Sequence, residues 1–224
     1  MGVVKLNQLL SQIADKTLKK KELYQKVEQD FSLISILVEG LSSPKPTVRY
    51  TCGSVLMYLS EKYPQNLYSY MDDFIRLLDS KYRILTWNAL FIIANLAMVD
   101  DEQKFDSIFD SYFGLLKNEY MVTVASVIGS SVKIALAKPY LSDKIAKELL
   151  KVDCIGINPH LTEECKRVII GKTIQSFNQF FNKLDHKVKV EVFEFVGKQL
   201  ESSRCSVRKD AELFLEKWKT CIVS

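Results

Sequence analysis

The sequence predicts an all-α protein, folded as a short right-handed solenoid of about five antiparallel helical pairs. Apolar residues recur every three or four positions, as in the stretches 67–78 and 170–184, which is the period of an amphipathic helix. Gly and Pro number only 8 and 5 in 224 residues, which favours helices over sandwiches or barrels. A turn-and-helix pattern also returns at intervals of a few tens of residues, which indicates stacked helical repeats.

The repeated pattern is a leucine at a helix end, a short polar turn, and then a new helix that opens on Val-Arg or Tyr-Arg. It occurs at 41–52 and again at 77–89, and Val48 and Tyr82 are 34 residues apart. A looser copy at 115–128 lacks the arginine, and a fourth at 200–211 restores it with Arg208.

On these copies the chain resembles HEAT and armadillo repeat proteins, from about Leu23 to Trp218. The resemblance implies antiparallel helical pairs stacked into a superhelix, whose second helices line a concave surface that binds another macromolecule. The steps between copies are shorter than the roughly 40–47 residues usual in these repeats. A step of 34 residues also suits tetratricopeptide repeats, but their Trp, Leu-Gly and Tyr positions are not matched.

We expect one domain over residues 1–224. Its parts are an N-terminal capping helix with a basic break (1–20), the best-defined repeats (21–152), a loop (153–161), and the C-terminal repeats with their cap (162–224). The loop is the longest interruption of the helical pattern and contains Gly, Asn and Pro.

The stretch from Tyr82 to Met98 is apolar on nearly all sides. Trp87, Leu90 and Phe91 lie opposite Leu85 and its helical neighbours. Such a helix must be covered on most sides, so we expect it to be the best-buried element, with Trp87 in the core.

The cysteines and histidines predict neither a metal site nor a cofactor. The cysteines are scattered and contain no CxxC pair, which is typical of reduced thiols in a cytoplasmic protein. Cys154, His160 and Cys165 are the nearest approach to a ligand set, but a structural zinc site needs four ligands in close pairs. We expect Cys52, in the apolar phase of its helix, to be a small core residue.

No catalytic pattern is present, so we expect a non-enzymatic protein with no catalytic residues. There is no phosphate-binding glycine loop, no GxSxG and no HExxH, and the chain has only two histidines. The most apolar run, 84–99, is interrupted by polar side chains and is too short for a membrane span, so we expect no membrane partner.

When the three best copies of the repeat are aligned, polar residues fall at matching positions of their helices. These are the candidate partner-binding residues. Each pair within a helix is seven residues apart and therefore shares a face. The set is Ser54, Glu61, Asn88, Asn95, Ser126 and Lys133, and a further polar row at Lys172, Gln175 and Gln179 follows the loop. These rows could form a groove for a protein segment, or they could be the solvated face that every amphipathic helix has.

The basic residues leave a second function open. Arginine recurs at the starts of helices, at Arg49, Arg83 and Arg208. These residues could form a row that binds anions, but a structural role in joining neighbouring repeats is the better interpretation. Two basic concentrations, Lys16 to Lys21 and a C-terminal group, could bind phosphate. The C-terminal group is Lys183, Lys187, Lys189, Arg204, Arg208 and Lys209.

The sequence therefore predicts a scaffold or adaptor that binds a protein segment. The alternative is a nucleic-acid-binding HEAT-like solenoid, for example an enzyme that resembles the DNA alkylation-repair glycosylases. Those enzymes use aromatic residues and an Asp in a basic cleft, whereas this chain has a net charge of only +4 and no carboxylate one turn after Trp87 or Trp218. A continuous basic surface would favour nucleic acid, and a mixed polar and aromatic one would favour protein.

Overall fold

The structure, a computed structural model, describes residues 2–223, with side chains described from Gln8 to Ile222. Over that range the chain forms helices joined by short turns and has no β-strand, only an isolated bridge between Asn158 and Leu161. The all-α prediction is confirmed. Positions 1 and 224 of the predicted terminal segments lie outside the described residues.

The chain forms two compact units, Met1–Asp106 and Ser107–Ser224. The division leaves the single domain over 1–224 as a prediction. The helices of the first unit are α1 (Gly2–Ala14), α2 (Lys20–Gln29), α3 (Leu33–Gly40), α4 (Pro46–Lys62), α5 (Pro64–Leu67), α6 (Met71–Arg76) and α7 (Arg83–Leu96).

The second unit begins within a helix that starts in the first. Its helices are α8 (Lys104–Gly114, from Ser107 on), α9 (Met121–Ala137), α10 (Ser142–Leu150), α11 (Glu163–Phe180), α12 (His186–Gly197), α13 (Cys205–Trp218) and α14 (Thr220–Val223). A 3-10 turn prolongs several of the helices, including Leu115–Lys117 after α8, Lys151–Cys154 after α10 and Lys198–Glu201 after α12.

The helices alternate between a short first member and a long second member. In the first unit α3 packs on α4 and α6 on α7, and in the second α10 packs on α11 and α12 on α13. The long helices also pack side by side, α4 on α7, α9 on α11, and α11 on α13. A long helix therefore covers both its own partner and the next long helix, as in stacked repeats.

The starts of the long helices follow known local preferences. Pro46 occupies the first turn of α4, where its missing N–H removes a donor that would have no intrahelical acceptor. The Thr162 hydroxyl accepts a hydrogen bond from Cys165 N at 3.3 Å and caps α11, and Glu163 and Glu164 complement the helix dipole in its first turn.

Two of the recurring arginines, Arg49 and Arg208, bind the turn that precedes their own helix. Arg49 Nη1 donates to the Ser43 carbonyl at 2.7 Å, and Arg208 Nη1 donates to the Ser202 carbonyl at 2.6 Å, each reaching six residues back. The Arg49 guanidinium also lies 3.5 Å from the ring centroid of Tyr82, in the next repeat, and is only 3% exposed. These contacts agree with the structural interpretation for Arg49 and Arg208, with carbonyls and an aromatic face around the Arg49 charge.

Helix α7 is deeply buried along most of its surface but not on all sides. The consecutive residues Ile92 to Leu96 are buried, as are Leu85 and Ala89. Trp87 and Phe91 are only half-buried, however, and Ile84 is 41% exposed. The prediction that Trp87 lies in the core is therefore wrong: one face of α7, which includes Trp87, is partly open.

Arg49→Lys should lower the free energy of unfolding by about 1–3 kcal/mol, because lysine cannot reproduce the planar contact with Tyr82 or the bond to Ser43. Urea unfolding followed by circular dichroism measures this loss. Arg208→Lys is the matched control, since Arg208 makes the same bond to its turn but is half-buried, and its loss should be smaller. Unchanged stability of Arg49→Lys would contradict a structural role.

Candidate protein-binding surface

The predicted site residues of the first unit fall into two groups. Asn95 is only 5% exposed, and its Nδ2 donates to Ser60 Oγ at 2.9 Å across the α4–α7 contact. Ser60 Oγ in turn donates to the Met57 carbonyl at 2.7 Å. Asn95 therefore stabilises the packing of two long helices, and the expectation that it lies on a polar surface row is wrong.

Ser54 and Asn88 keep part of their surface open to solvent, and Glu61 is exposed. Ser54 Oγ accepts a hydrogen bond from Lys20 Nζ of α2. The Asn88 side chain lies against Gly53, where a Cβ would stand 2.6 Å from Asn88 Nδ2. Glycine at position 53 thus allows α7 to approach α4 closely at this point.

Asn88 has an unused hydrogen-bond donor. Its Nδ2 is buried, and no acceptor among the described residues lies within hydrogen-bonding reach. Buried donors are almost always paired, and an unpaired one has an energetic cost. Asn95, seven residues further along the same helix, is bonded inside the protein, whereas the buried Asn88 Nδ2 has no acceptor among the described residues.

Aromatic and aliphatic side chains surround Asn88 on its own helix. Ile84 and Phe91 lie four residues before it and three residues after it and so share its face, and Trp87 is its neighbour in the chain. The open surface of α4 and α7, called here the α4/α7 face, consists of Tyr50, Ser54, Glu61, Ile84, Trp87, Asn88 and Phe91. It combines aromatic surface, small polar groups and one exposed carboxylate, and is not continuously basic.

A network beside this face holds α2 against α4. The Tyr24 and Tyr58 rings stack at 4.2 Å, and Glu28 accepts from the hydroxyls of Tyr58 and Tyr63 at 3.5 and 3.3 Å. Lys62 Nζ lies 3.4 Å from Glu28 Oε1, and hydrogen bonding with Tyr58 raises the pKa of this lysine. Tyr58 and Tyr63 thus make their hydrogen bonds within the protein.

The predicted residues of the second unit lie on α9, one buried and one half-exposed. Ser126 is 6% exposed and its Oγ donates to the Val122 carbonyl at 2.7 Å, so it is wrongly predicted as a surface residue. Lys133 is half-buried and keeps its place as a candidate contact. Between them lies Gly129, where a Cβ would stand 3.0 Å from Lys172 Cε of α11.

The second polar row, on α11, is partly used to join helices. Gln175 Nε2 donates to Asp210 Oδ2 of α13 at 2.9 Å, and Lys172 lies against α9. Gln175 and Gln179 are exposed. This row is a solvated helix face with a contact to the next repeat.

The C-terminal basic group is partly neutralised within the unit. Arg204 pairs with Glu164, and Arg208 binds the Ser202 carbonyl. Arg204 and Arg167 both hydrogen-bond to Glu164 and hold its pKa below the usual value, with Arg167 the larger cause. The remaining lysines of the group lie among exposed or half-buried residues of both signs, including Glu191 and Glu194.

The thiols and imidazoles form no metal site within the described part of the chain. The His160 ring stacks on Tyr120 with centroids 4.7 Å apart, and the Thr162 hydroxyl lies 3.3 Å from Cys165 Sγ. Cys52 is buried as predicted, and burial raises the pKa of its thiol to about 12. Among the described residues, no helix is long and apolar enough to cross a membrane.

Comparison with solved structures identifies the fold. An engineered protein from a structural genomics consortium is 19% identical, with a TM-score of 0.57 over 94% of this chain and 87% of that one. A designed armadillo repeat protein is 19% identical, with a TM-score of 0.52 over 94% and 90%. A second one, in complex with the peptide (KR)4, is 18% identical, with a TM-score of 0.57 over 93% and 90%.

No protein-family model and no curated protein sequence matches the chain. At these identities the likeness shows the fold alone, an armadillo-like α-solenoid. The predicted fold class and the resemblance to armadillo repeats are therefore confirmed.

The two asparagines of α7 should respond differently to truncation. Asn95→Ala removes a buried hydrogen bond between helices and should lower the free energy of unfolding by about 1–3 kcal/mol. Asn88→Ala removes a group with no internal partner and should change it by no more than about 0.5 kcal/mol. Urea titration of both variants decides the point, and equal losses would mean that Asn88 has an internal structural role.

Proposed function

We propose that this armadillo-like chain is a non-enzymatic scaffold that binds an extended protein segment on the α4/α7 face. The observation that carries the proposal is the unused Asn88 Nδ2 donor beside the half-buried Trp87 and Phe91. An extended segment presents a backbone carbonyl at every residue, so it can supply the acceptor that Asn88 lacks once rotation of the side-chain amide brings Nδ2 to the open surface. Aromatic rings supply contact area at low cost in side-chain entropy.

The chemistry of the face favours a protein over a nucleic acid. Nucleic-acid surfaces carry a dense basic stripe that neutralises phosphates. The α4/α7 face carries the exposed Glu61 carboxylate, and Lys20 of α2, which lies beside it, already donates to Ser54. A designed armadillo neighbour was solved with a bound peptide, which supports peptide binding by this fold.

The proposal assigns roles to several residues of the α4/α7 face that keep solvent-exposed surface. Asn88 bonds the backbone of the partner, Trp87 and Phe91 pack on its side chains, and Glu61 favours a basic residue nearby. Ser54 borders the same surface. In the second unit Lys133 stays a predicted contact of its own. The unpaired cysteines, Cys52 among them, support a reducing cytoplasmic location.

A selection from a random 12-residue peptide library against the purified chain tests this function, with fluorescence polarisation measuring the affinity of each selected peptide. Asn88→Ala should weaken binding at least about fivefold, which is the loss of one hydrogen bond. Asn66→Ala, an exposed asparagine outside the face in the same unit, is the control and should have no effect. Glu61→Lys should weaken those selected peptides that carry Lys or Arg.

Two results would overturn the proposal. The first is that the selected peptides bind Asn88→Ala and Trp87→Ala as tightly as the unchanged chain. Alternatively, a 20-base-pair DNA duplex could bind in a way that depends on Lys19, Lys20 and Lys21, which would favour the nucleic-acid alternative. Lys133→Glu tests the second unit separately and should leave the melting temperature nearly unchanged.

A further inference from the structure

We propose that the second unit has a separate binding site for a small apolar carboxylate, in the cleft where the C-terminal ends of α8 and α10 meet the loop after α10. The cleft has a volume of about 750 Å³ and is formed entirely by residues between Asp110 and Asn158. Sites for small ligands usually have this size and combine an apolar floor with a few convergent polar groups.

The floor of the cleft is apolar. Phe113 and Leu116 come from the end of α8, and Ile155 and Ile157 from the loop. Phe113 and Leu116 are buried, but Ile157 is 53% exposed although it lines the cleft. A hydrocarbon body lying on this floor would remove apolar surface from water, which favours binding.

The charges of the rim leave one cation without a partner. Asp110 Oδ1 pairs with Lys144 Nζ at 3.3 Å, and Glu148 Oε1 pairs with Lys151 Nζ at 2.6 Å. Lys117 also lines the cleft, and no carboxylate of the described chain lies within ion-pairing distance of it. The rim therefore has one ammonium group available to an anion.

Two asparagine amides add donors and no free acceptor. Asn118 Oδ1 accepts from Tyr120 N at 3.0 Å, and Asn158 Oδ1 accepts from His160 N at 2.8 Å and from Leu161 N at 3.0 Å. With their oxygens used in turns, both side chains have only Nδ2 groups left to offer, and neither has an acceptor in the described structure. Together with Lys117 they suit a carboxylate, which only accepts hydrogen bonds.

The helix ends do not counter this preference strongly. Backbone carbonyls at helix C-termini repel anions, but the final turns here close on themselves. Asn118 N donates to the Leu115 carbonyl at 3.1 Å, and Ile155 N donates to the Val152 carbonyl at 3.2 Å. Part of the carbonyl charge is thus already satisfied on each side of the cleft.

Glycine keeps the cleft open and offers a way to close it. A Cβ at Gly114, which lines the cleft in the last turn of α8, would meet no atom within 4 Å. A Cβ at Gly197, the last residue of α12, would likewise meet no atom within 4 Å, and Gly197 lies outside the cleft. Both glycines precede a 3-10 turn, so they form a matched pair for substitution.

The test measures binding of sodium decanoate below its micellar concentration by isothermal titration calorimetry. Decyltrimethylammonium has the same chain and the opposite charge, and should bind at least about tenfold more weakly. A second measurement uses Cys154, which lines the cleft and is exposed. Decanoate should slow its alkylation by iodoacetamide, followed by mass spectrometry, and should leave the exposed Cys205 of the same molecule unaffected.

The variants separate this site from nonspecific adsorption. Gly114→Phe should fill the cleft and weaken decanoate binding at least about tenfold, whereas Gly197→Phe should not change it. Lys117→Glu should weaken decanoate and bring its affinity closer to that of decyltrimethylammonium. Melting curves of the variants confirm that each is folded.

The proposal is overturned if decanoate neither binds nor protects Cys154, if both amphiphiles bind equally, or if Gly114→Phe and Gly197→Phe have the same effect. Peptide binding by the α4/α7 face is measured with different variants in the other unit. Failure of one proposal therefore does not imply failure of the other.

Discussion

Within each unit, neighbouring short–long helix pairs bury their apolar sides against one another, and this packing underlies the other features of the structure. The contacts that carry it join residues one repeat apart. Asn95 bonds Ser60, and Gln175 bonds Asp210, each across 35 residues. A single pair has no such partner, so stability in a repeat fold depends on the interfaces between neighbouring pairs. Arg49 belongs to the same system, because it binds its own turn and the Tyr82 ring of the following repeat.

The same packing decides which polar groups are available to a ligand. Where two long helices approach closely, a polar side chain either bonds across the contact, as Asn95 does, or stops at its edge, as Asn88 does beside Gly53. The partly open side of α7 results from the same geometry, because α4 covers one side of that helix and leaves Trp87 and Phe91 half-exposed. Aromatic surface and a free amide donor therefore occur together.

The two proposed sites differ in the chemistry that they present. The α4/α7 face is a helix surface with a donor for a backbone carbonyl, and it carries the exposed carboxylate of Glu61. The cleft at the ends of α8 and α10 is a depression whose lining includes unused donors, among them the Lys117 ammonium and the amides of Asn118 and Asn158. Helix faces and helix ends are the two kinds of surface that a repeat can vary without disturbing its buried interface, which is consistent with distinct ligands at each.

The sequence by itself determined the helices, the armadillo-like fold and the burial of Cys52, because the period of apolar residues records which face each helix must bury. Only the tertiary structure decided which of two polar residues on the same helical face is buried. Asn88 and Asn95 share a helical face, and so do Ser126 and Lys133, yet one member of each pair is buried by neighbouring packing. The partial exposure of Trp87 could likewise not be predicted from the sequence, because an apolar residue at a helix surface has the same sequence signature as one in the core. The cleft depends on the course of the loop after α10, which carries no periodic pattern and is fixed by contacts distant in sequence.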